Sequence, residues 1–301
     1  MGFFRRKNAK SKPVPNRDEM IQLAVGYLTK AFQAEGIPAE QVLTENGHCL
    51  QINDGSLVSL ENLADQMQQV PSDEWESLFG QWFQFVMDAT RKQDPSDLDP
   101  ESLASMIRSR IVSTNGREYQ QYARPVAEGL AEVLCLDYPQ HVAFVSDDSL
   151  GELQLPADEL FNLGRRNTEN DPVDEIVEHE GVLIVSGETA FTSSKISNMS
   201  ALASQVGIEA PDGLLFGLLD KSVLVLKAPT GAEDLYNVMN VMRSLSLSLD
   251  VAPISPEIYY WSSDGSIELA SQTIPSESGN PNEDTVQLMP GEEFTRRFMQ
   301  E

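Results

Sequence analysis

The chain is poor in the residues that most often carry chemistry. Its 301 residues include two cysteines, Cys49 and Cys135, and three histidines, His48, His141 and His179, far apart in sequence. Both cysteines stand in alternating, strand-like segments outside any paired motif, so each reads as a small buried hydrophobe and not as a disulfide partner or a nucleophile. No phosphate-binding loop ending in Gly-Lys-Ser/Thr, no Gly-x-Gly-x-x-Gly fingerprint after a strand and no Gly-x-Ser-x-Gly elbow occurs. Nucleotide-dependent and α/β-hydrolase chemistry therefore lack sequence support, and no cofactor is expected. Long apolar runs are also missing. Leu214 to Leu219 and Val182 to Val185 fall far short of the roughly 18 residues a membrane span requires.

Basic side chains are scarce, 21 against 47 acidic ones, for a net charge of −26. Six of them (Arg5, Arg6, Lys7, Lys10, Lys12, Arg17) lie in residues 1–17, which hold no acid, so the remaining body carries −32. Such a body repels phosphate backbones, and nucleic-acid binding is not expected of it. Residues 1–17 read as a flexible basic arm in which Pro13 and Pro15 discourage helix. Phe3-Phe4 runs at once into Arg5-Arg6-Lys7, leaving no apolar core for a secretory signal, and Arg6 stands where myristoylation wants Ser or Thr. A cytoplasmic protein is expected, with weak peripheral membrane contact through the arm as a further possibility.

What is present is a pattern of short elements. Residues 18–93 read as a helix stopped by Gly36 and Pro38, three strands divided by Asn46-Gly47 and Asp54-Gly55, and a helix after Ser72 bearing Trp75, Leu78, Phe79, Trp82 and Val86. The acidic stretch 94–101, with Pro95 and Pro100, reads as a linker. Residues 102–270 form a second module. It is expected to hold a short helix near Leu103 to Arg110, a hairpin pairing Leu130 to Leu136 with Val142 to Val145, and a helix beginning at Pro156. Beyond Val182 to Ser186 come helix, hairpin, helix and hairpin. Residues 271–301, rich in Ser, Pro, Asn and Glu, read as mostly disordered, closing on a short amphipathic helix from Glu293 that docks on the body or on a partner. Helices mixed with antiparallel hairpins predict an α+β fold of two modules.

Three clusters could carry chemistry. If Asp171 to Glu180 were helical, Asp171, Asp174, Glu175 and Glu178 would share a face beside His179, with Asp174, Glu178 and His179 as the candidate ligands of a hard cation. Pro172 and the following strand shorten any such helix. Asp147-Asp148 is poorly disposed for shared acid/base work, because neighbours on a strand point to opposite faces. In Thr189 to Lys195 a Ser–Lys nucleophile pair is conceivable, but a helix N-terminus accounts for the hydroxyls. The densest apolar surface lies in the Leu214 to Leu226 hairpin and the helix Leu235 to Leu249, more than one sheet face needs. Leu214, Phe216, Leu218 and Val223, with Phe294 and Phe298 of the tail, are therefore the candidate partner-binding residues.

The order of these motifs resembles the YtpQ-like family of uncharacterised bacterial proteins. The likeness rests on Tyr138 followed by Val142-Ala143-Phe144-Val145, Glu159-Leu160-Phe161-Asn162-Leu163, Thr189 to Ile196, the hairpin Leu214 to Lys227, and Ser255-Pro256-Glu257-Ile258-Tyr259 leading to Asp264-Gly265. Ser59-Leu60-Glu61-Asn62-Leu63 extends it, so that it spans about residues 18 to 270. Where that family tends to carry Tyr-Asp-Ala-Ser-Arg, this chain has Phe191-Thr192-Ser193-Ser194-Lys195. The resemblance implies a cytoplasmic bacterial protein and supplies no catalytic residues. A non-enzymatic interaction or adaptor protein is expected, with a metal-dependent or hydrolytic enzyme centred on Asp171 to Glu180 as the alternative.

Overall fold

The computed structural model describes residues 15–44, 47–52, 57–90, 98–114, 122–138, 142–145, 150–151, 153, 155–249, 253–274, 276 and 285–299. The arm up to Val14, Asn46, Asp54-Gly55, residues 94–97, His141 and Asp147-Asp148 lie outside them. The chain divides into two compact units, Met1–Lys92 and Gln93–Glu301.

In the first unit, α1 (Arg17–Ala34) opens on a reciprocal cap, Asn16 accepting from the Glu19 amide and Glu19 from the Asn16 amide, both at 2.9 Å. Two orphan donors are thereby satisfied at the start of the helix. Strands β1 (Ala39–Thr44), β2 (Gly47–Ile52) and β3 (Leu57–Ser59) form an antiparallel meander. A helix absent from the sequence reading, α2 (Glu61–Gln69), precedes α3 (Trp75–Thr90), and the Trp75 indole donates to the Met67 carbonyl at 3.0 Å. Met20, Leu28, Phe32, Leu50, Phe79 and Trp82 meet in one core.

The second unit begins with α4 (Pro100–Met106), capped by Asp99, which accepts from the amides of Glu101 and Ser102. The helix expected to reach Arg110 stops at Met106. Ile107, Ile111 and Val112 are β-branched, and alternate residues of the segment are buried, so β4 (Ile107–Ser113) forms there. β4 pairs with β6 (Leu130–Asp137), whose other side takes β5 (Ala123–Ala127) and β7 (Val142–Phe144); α5 (Ala157–Asn170) packs on β4.

The larger sheet has six antiparallel strands in the order β13 (Ile267–Leu269), β12 (Ser255–Trp261), β10 (Leu214–Leu218), β11 (Val223–Lys227), β9 (Val182–Ser186), β8 (Glu175–His179). Both of its faces are covered. Leu214, Phe216, Leu218, Leu224, Leu226 and Tyr259 point to one side, against a 3-10 helix (Thr192–Asn198) and α6 (Met199–Val206). Leu215, Val225, Ile258 and Tyr260 point to the other, against α7 (Glu233–Leu249) and α8 (Glu292–Phe298). An α+β fold results. Gly217 lets α7 come close, since a Cβ there would meet Ile258 and Val225 at 3.1 Å and the Met242 sulfur at 3.3 Å.

The tail is more ordered than its composition suggested. Ser271–Ile274 (β14) and Thr285–Leu288 (β15) form a hairpin ladder, and Phe294 of α8 is fully buried. Alternation of polar and apolar residues in Thr285-Val286-Gln287-Leu288 is a strand signal that the surrounding Ser, Pro and Glu obscure.

Candidate functional site

The start of α7 is fixed by its own chemistry. Asp234 accepts from the Thr230 amide at 2.7 Å and the Thr230 hydroxyl at 2.9 Å, with the Lys227 ammonium 3.3 Å away. Burial pushes its carboxyl up, but these donors and the ammonium outweigh burial and hold it below the usual carboxylate range. Leu235, Val238, Val241 and Met242 then face the sheet. One helical step round, Tyr236, Met239, Arg243 and Leu247 form a second stripe at i, i+3, i+4 spacing, in which Tyr236 and Leu247 are 54% and 58% exposed.

Beside this stripe lies an apolar groove of about 140 Å³. Met239, Met242, Arg243 and Leu247 of α7, Pro253 and Pro256, and Val286 of β15 are among the residues that line it. Pro253 stands just before β12 and Pro256 within it, and each fixes φ where it lines the groove. Its floor is tied down by Glu257, whose buried carboxylate accepts from the Thr273 amide at 2.9 Å and from the Ser271 hydroxyl at 3.4 Å. Burial raises this carboxyl above its ordinary value, and those donors only partly offset it. Val286 and Leu288 share a face of β15 by alternation, which carries apolar surface beyond the groove mouth; Leu288 is 38% exposed.

Two wider clefts lie in the first unit. One, of about 730 Å³, is lined by residues including Thr29, Gln33, Glu40 and Gln51, and the other, of about 790 Å³, by residues including Arg17, Gln68, Ser72 and Trp75. Among the described residues each lining holds a single charged group, Glu40 in the first and Arg17 in the second.

The residues singled out from sequence separate under this geometry. Leu214, Phe216 and Leu218 are buried in the core, with Phe216 stacked on Tyr259 at 5.3 Å, and Val223 packs on the α7 side. Their apolar excess is explained by a sheet covered on both faces, which requires every side chain of β10 to be apolar. Phe294 and Phe298 lie edge-on to Tyr260 at 5.2 and 6.0 Å, so the C-terminal helix is docked on the protein's own body.

Asp171 to Glu180 does not form the helix that would have aligned its acids. Ile176-Val177 favours a strand, and Glu180-Gly181, at φ 53° and 74°, closes a two-residue hairpin between His179 and Val182. Glu178 and His179 are exposed neighbours on β8, Asp171 pairs with Arg108 at 3.4 Å, and Asp174 accepts from the Glu188 amide. Among the described residues no three His, Cys, Asp or Glu side chains are gathered to hold a metal.

The hydroxyls from Thr192 to Ser194 do stand at a helix start, that of the 3-10 helix Thr192–Asn198, but no side chain caps it and at least two of them bond across the fold. Ser193 donates to the carbonyls of Val223 and Asp220, Ser194 accepts from the Ile111 amide at 2.9 Å, and α6 is capped by Asn198 instead. The Lys195 ammonium, 1% exposed, donates to the carbonyls of Thr168, Glu169 and Asp171 and terminates α5. With its three donors committed, it is no base for Ser194.

No family model, curated protein or solved structure matches the chain. Sequence reasoning reached α7, which supplies Met239, Met242 and Leu247, and named Pro256 only within the family resemblance; it missed Val286, which lies in the segment read as disordered. No helix among the described residues is long and apolar enough to cross a membrane.

Proposed function

We propose that the chain is an interaction module, a cytoplasmic bacterial protein of the YtpQ-like kind, which receives a short amphipathic helix of a partner along the outer stripe of α7. The groove carries the reading. At about 140 Å³ it holds one large aliphatic or aromatic side chain and lies below the roughly 300 Å³ at which small-molecule sites begin. A preformed apolar pocket of that size, flanked by exposed Tyr236 and Leu247, has the form of an anchor site at an interface. From Tyr236 to Leu247 the stripe runs about 16 Å at 1.5 Å per residue, the length over which a partner helix presents anchors at i, i+4, i+7 and i+11. The methionines give the groove a surface that repacks around different side chains.

The test is a photo-crosslinking amino acid placed at Leu247 in the full chain, expressed in the native cell. A discrete intermolecular adduct is expected, lost when Val286→Asp puts a charge into the groove. Adducts that persist in the Val286→Asp chain would rule the groove out as the docking site.

A further inference from the structure

The two edges of the six-stranded sheet are treated differently. β13 lies against β5, whereas all five residues of β8 are exposed and β9 is its only strand partner among the described residues. Exposed edges are ordinarily blunted by lysine, proline, a bulge or a covering element, because an open row of backbone N–H and C=O groups pairs with any strand that arrives. Glu175-Ile176-Val177-Glu178-His179 has no lysine, proline or bulge, and its two charged side chains are both acidic, so they turn away acidic strands without excluding a basic one. Its register with β9 runs unbroken from Glu175 opposite Ser186 to His179 opposite Val182, and the nearest proline, Pro172, precedes the strand.

The side chains of β8 continue both faces of the sheet past its last covered strand. Ile176 stands opposite Val185 on the α6 side and Val177 opposite Ile184 on the α7 side, each 43% exposed. One more strand would cover half-buried apolar surface on both faces and satisfy the open ladder. The charge specifies that strand: Glu175 and Glu178 lie within β8 and Glu180 in its turn, on a chain of net charge −26. A second copy pairing antiparallel about Val177 would set Ile176 against Glu178 and bring two strongly acidic bodies together.

We propose that the β8 edge is a strand-addition site for a basic, extended segment of another protein, in which two Lys or Arg stand three residues apart, one on each face of the strand opposite Glu175 and Glu178, with β-branched residues between them. Main-chain hydrogen bonds supply the pairing, and cross-strand contacts with Glu175 and Glu178 select the sequence. This site is separate from the α7 groove and does not depend on it.

A fluorescent heptapeptide of Lys and Val with its lysines three residues apart (Val-Val-Lys-Val-Val-Lys-Val), titrated into the full chain by anisotropy at physiological salt, is the probe. Saturable binding is expected, with slowed amide exchange at residues 175–179. It should weaken about tenfold or more in Glu175→Lys/Glu178→Lys, stay unchanged in Val286→Asp, and be absent for a Glu–Val peptide. The decisive arm is the same Lys–Val peptide N-methylated at every residue, which keeps its charge and loses its ladder. Binding that survives N-methylation, or that leaves exchange at 175–179 unaltered, overturns strand addition in favour of diffuse charge attraction. A doubled light-scattering mass with β8 protected in the absence of peptide overturns the basic partner in favour of self-pairing.

Discussion

Glu257 is a carboxylate held where charge is costly. Burial lifts its folded-state pKa above 4.5, whereas in the unfolded chain it titrates at its ordinary value. Between those two values the folded protein retains a proton that the unfolded chain has lost, so stability falls as pH rises through the interval and the penalty persists at neutral pH. Glu257→Gln keeps an acceptor for the Thr273 amide and removes the charge. The variant should be more stable than wild type at pH 7, with the difference vanishing below about pH 4.5; denaturant titrations of both proteins across this range measure it. At this scale the sequence was least legible. Nothing near Lys195 in the chain announces three carbonyls at the end of α5, and the bond of Ser194 to Ile111 joins residues that only the tertiary fold brings together. Local pattern registers local partners, which is why capping was the natural expectation for those hydroxyls.

Elements were more legible wherever their signal was self-contained. The first helix with its stop at Gly36, the Trp75 helix and the hairpin around Asp220 all follow from spacing and turn chemistry. Elements whose identity depends on a distant partner were missed or misread. β4 exists because β6 offers it a ladder, β8 because a Glu-Gly turn, a less familiar pair than Asn-Gly, reverses the chain, and β15 because β14 waits for it. The C-terminal helix shows what such docking is worth. Phe294 is buried completely between Tyr260 and Phe298, and a buried Phe truncated to Ala typically costs about 3–5 kcal/mol. A helix of seven residues has little stability of its own, so the loss appears first as local release. Phe294→Ala should speed amide exchange across residues 292–299 by about a hundredfold or more while β10 and β12 keep their protection, as measured by hydrogen exchange with mass spectrometry.

For the molecule as a whole, the fold class and the antiparallel character of both units were legible, while the groove, built from parts of the chain that sequence assigned to different fates, was not. The charge acts at this scale too. A net charge of −26 repels itself across the folded body, and ion pairs such as Arg165 with buried Glu132 and Arg297 with Glu293 relieve it only locally. Raising NaCl from about 0.02 M to 0.5 M shortens the screening length several-fold. The melting temperature should therefore rise, by about 3 °C for each 1 kcal/mol of repulsion relieved in a body of this size, as read by scanning fluorimetry. A protein held together mainly by surface salt bridges would respond in the opposite direction.

The order β13-β12-β10-β11-β9-β8 also bears on how the chain reaches this state. It decomposes into three hairpins, β8–β9, β10–β11 and β12–β13, each closed by a short loop and able to form on the microsecond scale of such units. The two seams between them are of another kind: Leu183 must find Leu226, and Leu214 must find Trp261, across intervening helices. Closing those longer loops costs entropy before any contact compensates it. Since α6 lies within the loop of one seam and α7 within the loop of the other, each helix is positioned to shorten the search its own seam demands. The sheet is thus assembled from prefabricated pairs, and the rate of folding is set by their lateral alignment.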